Sequence, residues 1–396
     1  MIQVFLFKSS IAWKNLLHNQ QRFFTALFAI SFAVFLMFSQ IGFRNALLDS
    51  SVEFIQKLNA DLIMSSQRRY FSAIEQRFKR NRLYQARGFE GVKTAYPLYI
   101  TIGIWKSKQG MRERPIRVFG FNLANSAFLI PAVQEFANAL QIPDTLLADK
   151  KSRKAFGTMK KGVIAELSNR RIKVIGIFEL GTDFIADGNL IMSDQNFLRI
   201  FAEHPSGFEG KTRSSLDEVD LGLLKASKGT DINSLVEVLN KLLPPDVVVY
   251  TKRNYIEQEL KYWNQATPVG FVFALGTAIG FVVGVIVVYN IIYTDIEDNL
   301  SQYATLRAMG YSSSYLLSVV CLESFLISIL GFFPGLCSSV LIYRLIANAT
   351  GLLMRMSFSV IALVLILTII MCMFAGLIAA TKLKNIDPAE VYEHKF

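Results

Sequence analysis

The stretch FFTALFAISFAVFLMFSQIGF, Phe23 to Phe43, governs how the rest of the chain is read, because it runs for 21 residues without a formal charge. A helix of that length extends about 31 Å at roughly 1.5 Å per residue, enough for a hydrocarbon core of roughly 30 Å. The alternative is a cleaved signal peptide, but the stretch is too long and too rich in Phe for one, and it lacks a small-residue cleavage site. Three more apolar runs follow, so spans are predicted over residues 23–43, 267–294, 313–343 and 358–381. The composition agrees, with 52% hydrophobic residues, 32 Phe and only 18% charged residues, well past the soluble mixture.

Orientation is read from Lys and Arg close to the span ends, since long loops translocate largely regardless of charge. Lys8, Lys14 and Arg22 precede the first span, Arg307 lies between the second and third, and Lys382, Lys384 and Lys395 follow the fourth. Against them stand Arg344 and Arg355 in segment 344–357, the only short loop on the opposite side. Segments 1–22, 295–312 and 382–396 are therefore expected on the cytoplasmic side of the cell inner membrane, both termini included. Residues 44–266 and 344–357 are expected outside.

The segment 44–266 is long enough for a folded core. Tyr99 to Trp105, Ile116 to Phe121 and Lys173 to Phe178 read as strands, while Phe71 to Gln85, Val133 to Leu140 and Ile232 to Leu243 read as helices, the last closed by Pro244-Pro245. The predicted fold is thus a membrane protein of four transmembrane α-helices, with a large α+β domain inserted between helices 1 and 2. Arg68, Arg69, Arg77, Lys79, Arg80, Arg82 and Arg87 crowd one stretch, read as a solvated helix face, and Asp217, Glu218 and Asp220 as a solvated turn.

Several chemistries are set aside. The net charge of +11 is diffuse and follows no nucleic-acid signature. Cys321, Cys337 and Cys372 all lie in apolar runs, and His18, His204 and His394 are far apart, which argues against a disulfide framework, a metal centre and a His-based catalytic site. Gly207 to Thr212 ends like a phosphate-binding loop, but Pro205 stands where an inward N–H is required. No catalytic residue and no metal is expected, and no cofactor bound by this chain.

Three features remain. Between the second and third spans, Leu300, Tyr303, Ala304, Leu306 and Met309 predict a short amphipathic helix, acidic at its start through Glu297, basic late through Arg307 and ended by Gly310. Its apolar side is expected to seat in a partner's groove, although a plain helical connector fits the same pattern. Gly276, Gly280 and Gly284 recur every four residues and predict a close helix contact, a candidate homodimer seam. Glu323 is the one acidic residue well inside an apolar run, where an interhelical hydrogen bond is favoured over a proton relay.

Tyr262-Trp263 with Thr267 to Phe271, Tyr303 to Tyr311, Asp387 to Glu390, Phe178 to Thr182 and Asp187 to Asp194 together resemble the DevC family of ABC exporter membrane subunits. The resemblance runs from about Trp13 to the C-terminal tail, and that family belongs with MacB-like, LolC-like and FtsX-like proteins. It implies a homodimer of four-span protomers, with ATP and Mg at a separate DevA-like cytoplasmic ATPase. The 295–312 segment would serve that ATPase as a coupling helix. A DevB-like membrane-fusion protein and a TolC-like outer-membrane channel are implied beyond the domain, with a glycolipid as the substrate class. A fused nucleotide-binding domain such as MacB carries is not expected. The rival expectation is an FtsX-like transducer that controls a periplasmic hydrolase and exports nothing.

Overall fold

The computed structural model describes residues 20–106, 113–153, 156–157, 159–202 and 212–381. It divides into two compact units, one of long helices and one built around a sheet. The helical unit takes residues up to Arg44, then Phe271–Leu345 and Met354 onward, and the sheet unit takes Asn45–Gly270 and Ile346–Leu353. The three histidines, Lys8, Lys14, Trp13, the phosphate-loop-like residues 207–211 with Pro205, and Asp387 to Glu390 lie outside the described residues.

Among the described residues, four helices are long and apolar enough to cross a membrane: α1 (Gln20–Lys57), and, later in the chain, Pro268–Asp298, Ser313–Thr350 and Phe358–Ala380. α1 does not stop at Phe43. It continues to Lys57, and from Asn45 on it belongs to the sheet unit, whose core takes up Val52, Phe54 and Ile55. Because lipid is as apolar as leucine, helices in a bilayer are held by close packing rather than by the hydrophobic effect. Small residues sit accordingly at the crossings. Gly331 and Gly335 lie against Ile30 and Val34 of α1, and Ser31 Oγ donates to the Gly331 carbonyl at 2.9 Å. The Tyr343 hydroxyl reaches the Phe38 carbonyl, its ring filling the space above Gly42.

The sheet unit continues with β1 (Leu62–Ser66), β2 (Phe78–Lys79), α2 (Asn81–Arg87), β3 (Val92–Lys106), β4 (Arg114–Phe121), α3 (Pro131–Glu135), β5 (Thr145–Asp149), β6 (Ile164–Leu167), β7 (Arg170–Phe178), β8 (Asn189–Ser193) and α4 (Asp194–Phe201). It ends with β9 (Glu218–Val219), β10 (Leu221–Ala226), α5 (Ile232–Leu242), β11 (Val247–Thr251) and α6 (Lys252–Lys261). Nine strands run in the order β11-β1-β10-β3-β4-β8-β5-β7-β6, and β6 pairs back on β3 at Trp105 and Lys106, so six of them close on themselves. Neighbours are antiparallel except β4 with β8 and β5 with β7.

Successive residues of a strand point to opposite faces, and here both faces are covered. Leu62, Met64, Val118 and Met192 enter one core while Ile63, Phe119 and Ile191 enter a second. This is why β1, β5 and β8 are buried along their whole length and do not alternate. Side-chain caps start the helices: Ser193 on α4, Asp231 on α5 and Thr251 on α6.

Two expectations for this domain fail. Phe71 to Gln85 is not one helix, since helix begins only at Asn81, after a turn and the short strand β2. Val133 to Leu140 breaks into α3 and a single 3-10 turn at Ala139–Gln141. In the first case, buried ion pairs described below outweigh a helical hydrophobic spacing.

Candidate functional site

The connection between the second and third long helices is built from α7 (Pro268–Asp298), α8 (Leu300–Ala308) and α9 (Ser313–Thr350). α7 runs past the predicted span end, so Asp295 and Glu297 belong to its last turn and not to the start of the connecting helix. The helix breaks at Asn299, whose side-chain amide folds back onto the Asp295 carbonyl at 3.0 Å. α8 closes on Gly310, which adopts φ +93°. The Tyr311 amide donates to the Leu306 carbonyl and the Gly310 amide to the Arg307 carbonyl, the paired bonds of a Schellman ending.

The apolar side of α8 is occupied within the chain. Tyr303 and Ala304 are buried, and Leu300 and Leu306 pack against the same cluster of Ile292, Ile296 and Leu316. This corrects the expectation that this side seats in a partner's groove. What α8 turns outward is Gln302, Thr305, Ala308 and, beyond its end, Met309, which is 63% exposed. Glu297 is exposed and Arg307 half-buried.

The glycines of α7 also find their partners inside the protomer. A methyl group on Gly276 would meet Gln40, one on Gly280 would touch Leu36 and Met37, and one on Gly284 would meet Ala33 and the Met371 sulfur. The close helix contact expected of this strip is made within the chain, by α1 and by α10 (Phe358–Ala380). Glu323 on α9 is buried and hydrogen-bonds to Asp295 of α7, which ties the two helices across the turn that carries α8. Arg22 of α1 pairs with Asp298 at the same end.

In the sheet unit, the connection between α9 and α10 makes a contact that no spacing predicts. Thr182 Oγ1 donates to the Thr350 carbonyl at 3.0 Å, its amide donates to the Gly351 carbonyl at 3.3 Å, and residues 182 and 352 form a parallel bridge. Gly351 takes φ +76°, and a Cβ there would run into the Lys151 carbonyl. The receiving loop is rigid because Asp149 accepts from the amides of Leu180 and Gly181 and from Asn189 Nδ2. Burial pushes the Asp149 carboxyl above its usual range, against the pull of those hydrogen bonds. Nearby, Arg117 pairs with Asp183 at 2.5 Å, both buried, and Asp187 pairs with Arg114 and Arg153 at 2.9 Å.

The segment leading into α7 is held just as firmly. A π-helical turn, Tyr262–Ala266, links α6 to Thr267, and Pro268 opens the next helix, where its missing N–H costs nothing. Glu259 accepts from the Ser72 amide at 2.7 Å, from Ser72 Oγ at 2.9 Å and from Trp263 Nε1 at 2.9 Å. Phe71 stacks on Tyr262 at 4.2 Å. Burial raises the Glu259 carboxyl above its usual range, offset in part by Trp263 and Ser72.

Asp220, expected in a solvated turn, is fully buried. Arg69 lies at 3.2 Å and Arg77 at 3.7 Å, and Arg213 makes direct contact with it. Arg213 also lies over the rings of Tyr99 and Phe197. The basic stretch from Arg68 is therefore partly interior, its Arg69 and Arg77 turned inward. Arg and Asp at positions 69, 77, 213 and 220 carry no sequence signal that joins them. Among the described residues no group of His, Cys, Asp and Glu is placed to hold a metal ion.

Residues 274–388 match the family described as FtsX-like permease, C-terminal. No significant match is found among curated proteins. Several solved structures are similar in part, two of which follow. The periplasmic region of MacB from Actinobacillus actinomycetemcomitans aligns at 14% identity and TM-score 0.35, over 52% of this chain and 95% of that one. The extracellular domain of the noncanonic ABC-type transporter YknZ from Gram-positive bacteria aligns at 14% identity and TM-score 0.33, over 48% and 99%. Four helices long and apolar enough to cross a membrane, together with a permease-family match that takes in most of α7 and all of α8 to α10, make the chain a multi-pass membrane protein.

Proposed function

We propose that this chain is the membrane-spanning subunit of an ABC-type exporter, a protein without catalysis of its own that is driven by a separate cytoplasmic ATPase. The observation that carries the reading is α8: a nine-residue helix set off by the break at Asn299 and the Schellman turn at Gly310, inside the permease match. Its apolar side is bonded to the bundle, so a push on its outer side moves α7 and α9 with it as one body. The chain passes from the helical unit to the sheet unit along α1 and α9, the two elements through which such a displacement would travel. Force would be delivered to the periplasmic domain without a wide membrane channel, with substrate entering from the periplasm or the outer leaflet.

In the finer form of the reading, two copies assemble in the inner membrane with both termini cytoplasmic. The ATPase is DevA-like and binds ATP and Mg, a DevB-like fusion protein meets the periplasmic domain, and a TolC-like channel completes a route for a glycolipid. The test is co-purification of tagged protein with mass spectrometry and an ATPase assay, comparing wild type with Met309→Asp. Met309 is the exposed apolar residue at the end of α8, so its change leaves the bundle contacts of Leu300 and Leu306 intact. Recovery of an ATPase and a fusion protein, with the ATPase lost from Met309→Asp, is the expected result. A cell-wall hydrolase recovered in place of the fusion protein would replace the exporter by a transducer.

A further inference from the structure

Glu323 of α9 and Asp295 of α7 are joined by a hydrogen bond between their carboxyl groups, across the turn that carries α8. An ionised carboxyl only accepts hydrogen bonds, so a bond between two of them requires that one carry a hydrogen. Like charges in contact away from water do not both persist, which points the same way. The setting is apolar: Ile292, Ile296, Leu316 and Val320 are buried in one cluster with Tyr303 and Ala304.

Which of the two is the donor follows from what else reaches them. Asp295 is half-buried, accepts from Asn299 Nδ2 at 3.3 Å and lies in the field of Arg22 of α1, whose guanidinium pairs with Asp298. Those are the neighbours of an ionised group. Glu323 is 5% exposed, and the charge that acts on it is that of Asp295. Ser324, the next residue, donates its hydroxyl to the Val320 carbonyl at 2.8 Å and not to the pair. The other titratable side chains of the cluster are Tyr289 and Tyr293 of α7, Tyr303 of α8, Tyr315 of α9 and Cys372 of α10, none of which brings a positive charge.

We propose that Glu323 is held as a neutral carboxylic acid that donates to the Asp295 carboxylate, and that this proton is the latch that keeps α7 and α9 at the separation on which α8 is folded. With the proton in place the contact draws the two helices together. Without it, two carboxylates would face each other in an apolar setting, and the same contact would push the helices apart. The inference concerns this chain's own helices and does not rest on the exporter reading, so its test needs no partner protein.

Infrared difference spectroscopy of the full chain in detergent at neutral pH, wild type against Glu323→Gln, reads the proton directly. Glutamine can donate to Asp295 in the same way, and buried carboxyls of the sheet unit such as Glu259 cancel in the difference. The substitution is expected to remove the carbonyl band of one protonated carboxyl, identified by its shift in deuterium oxide. Loss of a carboxylate band in its place would show that Glu323 is ionised and would overturn the proposal. Hydrogen exchange of residues 299–311 tests the latch. Glu323→Ala removes the donor and is expected to speed exchange there about tenfold, the effect of one hydrogen bond to a charged group, while Glu323→Gln stays close to wild type. A glutamine variant that exchanges as fast as the alanine variant or does not fold, or an alanine variant that exchanges like wild type, overturns the latch. If only the alanine variant fails to fold, the infrared comparison decides.

Discussion

Thr182 and Thr350 are 168 residues apart in sequence and joined by a hydrogen bond of 3.0 Å from the Thr182 hydroxyl to the Thr350 carbonyl. Thr350 is the last residue of α9, and Thr182 stands in a loop fastened by Asp149. The bond lies within the sheet unit, which takes up Ile346–Leu353 together with Asn45–Gly270.

This clasp is expected to yield to Gly351→Val. The valine meets both a left-handed backbone at φ +76° and the Lys151 carbonyl, while Thr182→Val removes only one bond, worth about 1 kcal/mol. Hydrogen exchange of the full chain in detergent should show residues 346–353 and the Thr182 amide exchanging faster in both variants, more so in Gly351→Val. Unchanged exchange in Gly351→Val would mean that some other contact holds the loop.

Asp220 neutralises buried arginines from two separated stretches, so Asp220→Asn leaves Arg69, Arg77 and Arg213 facing an amide in the interior. A loss of about 3–5 kcal/mol is expected, the range seen when one member of a buried pair is removed. Thermal unfolding followed by the near-ultraviolet signal would register it. A midpoint within a degree of wild type would show that solvent reaches the cluster.

Glu75 sets the direction of one pH effect. Burial raises its carboxyl above the ordinary value of 4.5, against the hydrogen bond from Thr101 and the charge of Arg77. A pKa raised on folding means that the stabilising contribution is complete below the ordinary carboxylate range and is lost as pH rises through the raised value. Wild type should therefore lose stability relative to Glu75→Gln as pH increases from 4.5 upward. The carbonyl of that glutamine still accepts from Thr101. Parallel melting curves of the two proteins across this interval would count against the assignment.

The glycine strip is expected to crosslink within one chain. With the native cysteines replaced, Gln40→Cys with Gly276→Cys should give an oxidised product that migrates as a monomer, because Gln40 is the side chain that a Cβ at Gly276 would meet. A dimer band as the main product would return the strip to the role of a seam between copies.

What the chain declares by itself is what depends on local order. Phe23 to Phe43 reads as a span because length and the absence of charge are properties of consecutive residues, and Gly310 reads as a helix stop because only its own backbone has to turn left-handed. Strands at Tyr99, Ile116 and Lys173 were legible for the same reason. The tertiary structure decided everything that depends on which surfaces meet. Leu300 and Leu306 have the spacing of a docking face, but whether that face serves a partner or the protein's own bundle is settled by the packing of Tyr303 and Ala304 against α7 and α9. The spacing of Gly276, Gly280 and Gly284 announces a close approach without saying of what. Asp220 looks solvated beside Asp217 and Glu218 until the fold brings Arg69 and Arg77 to it across more than 140 positions, and Thr182 has no visible tie to Gly351 until the chain ends of α9 and α10 are in place. Partners distant in sequence are chosen by the burial of the whole core, a quantity that no short window contains.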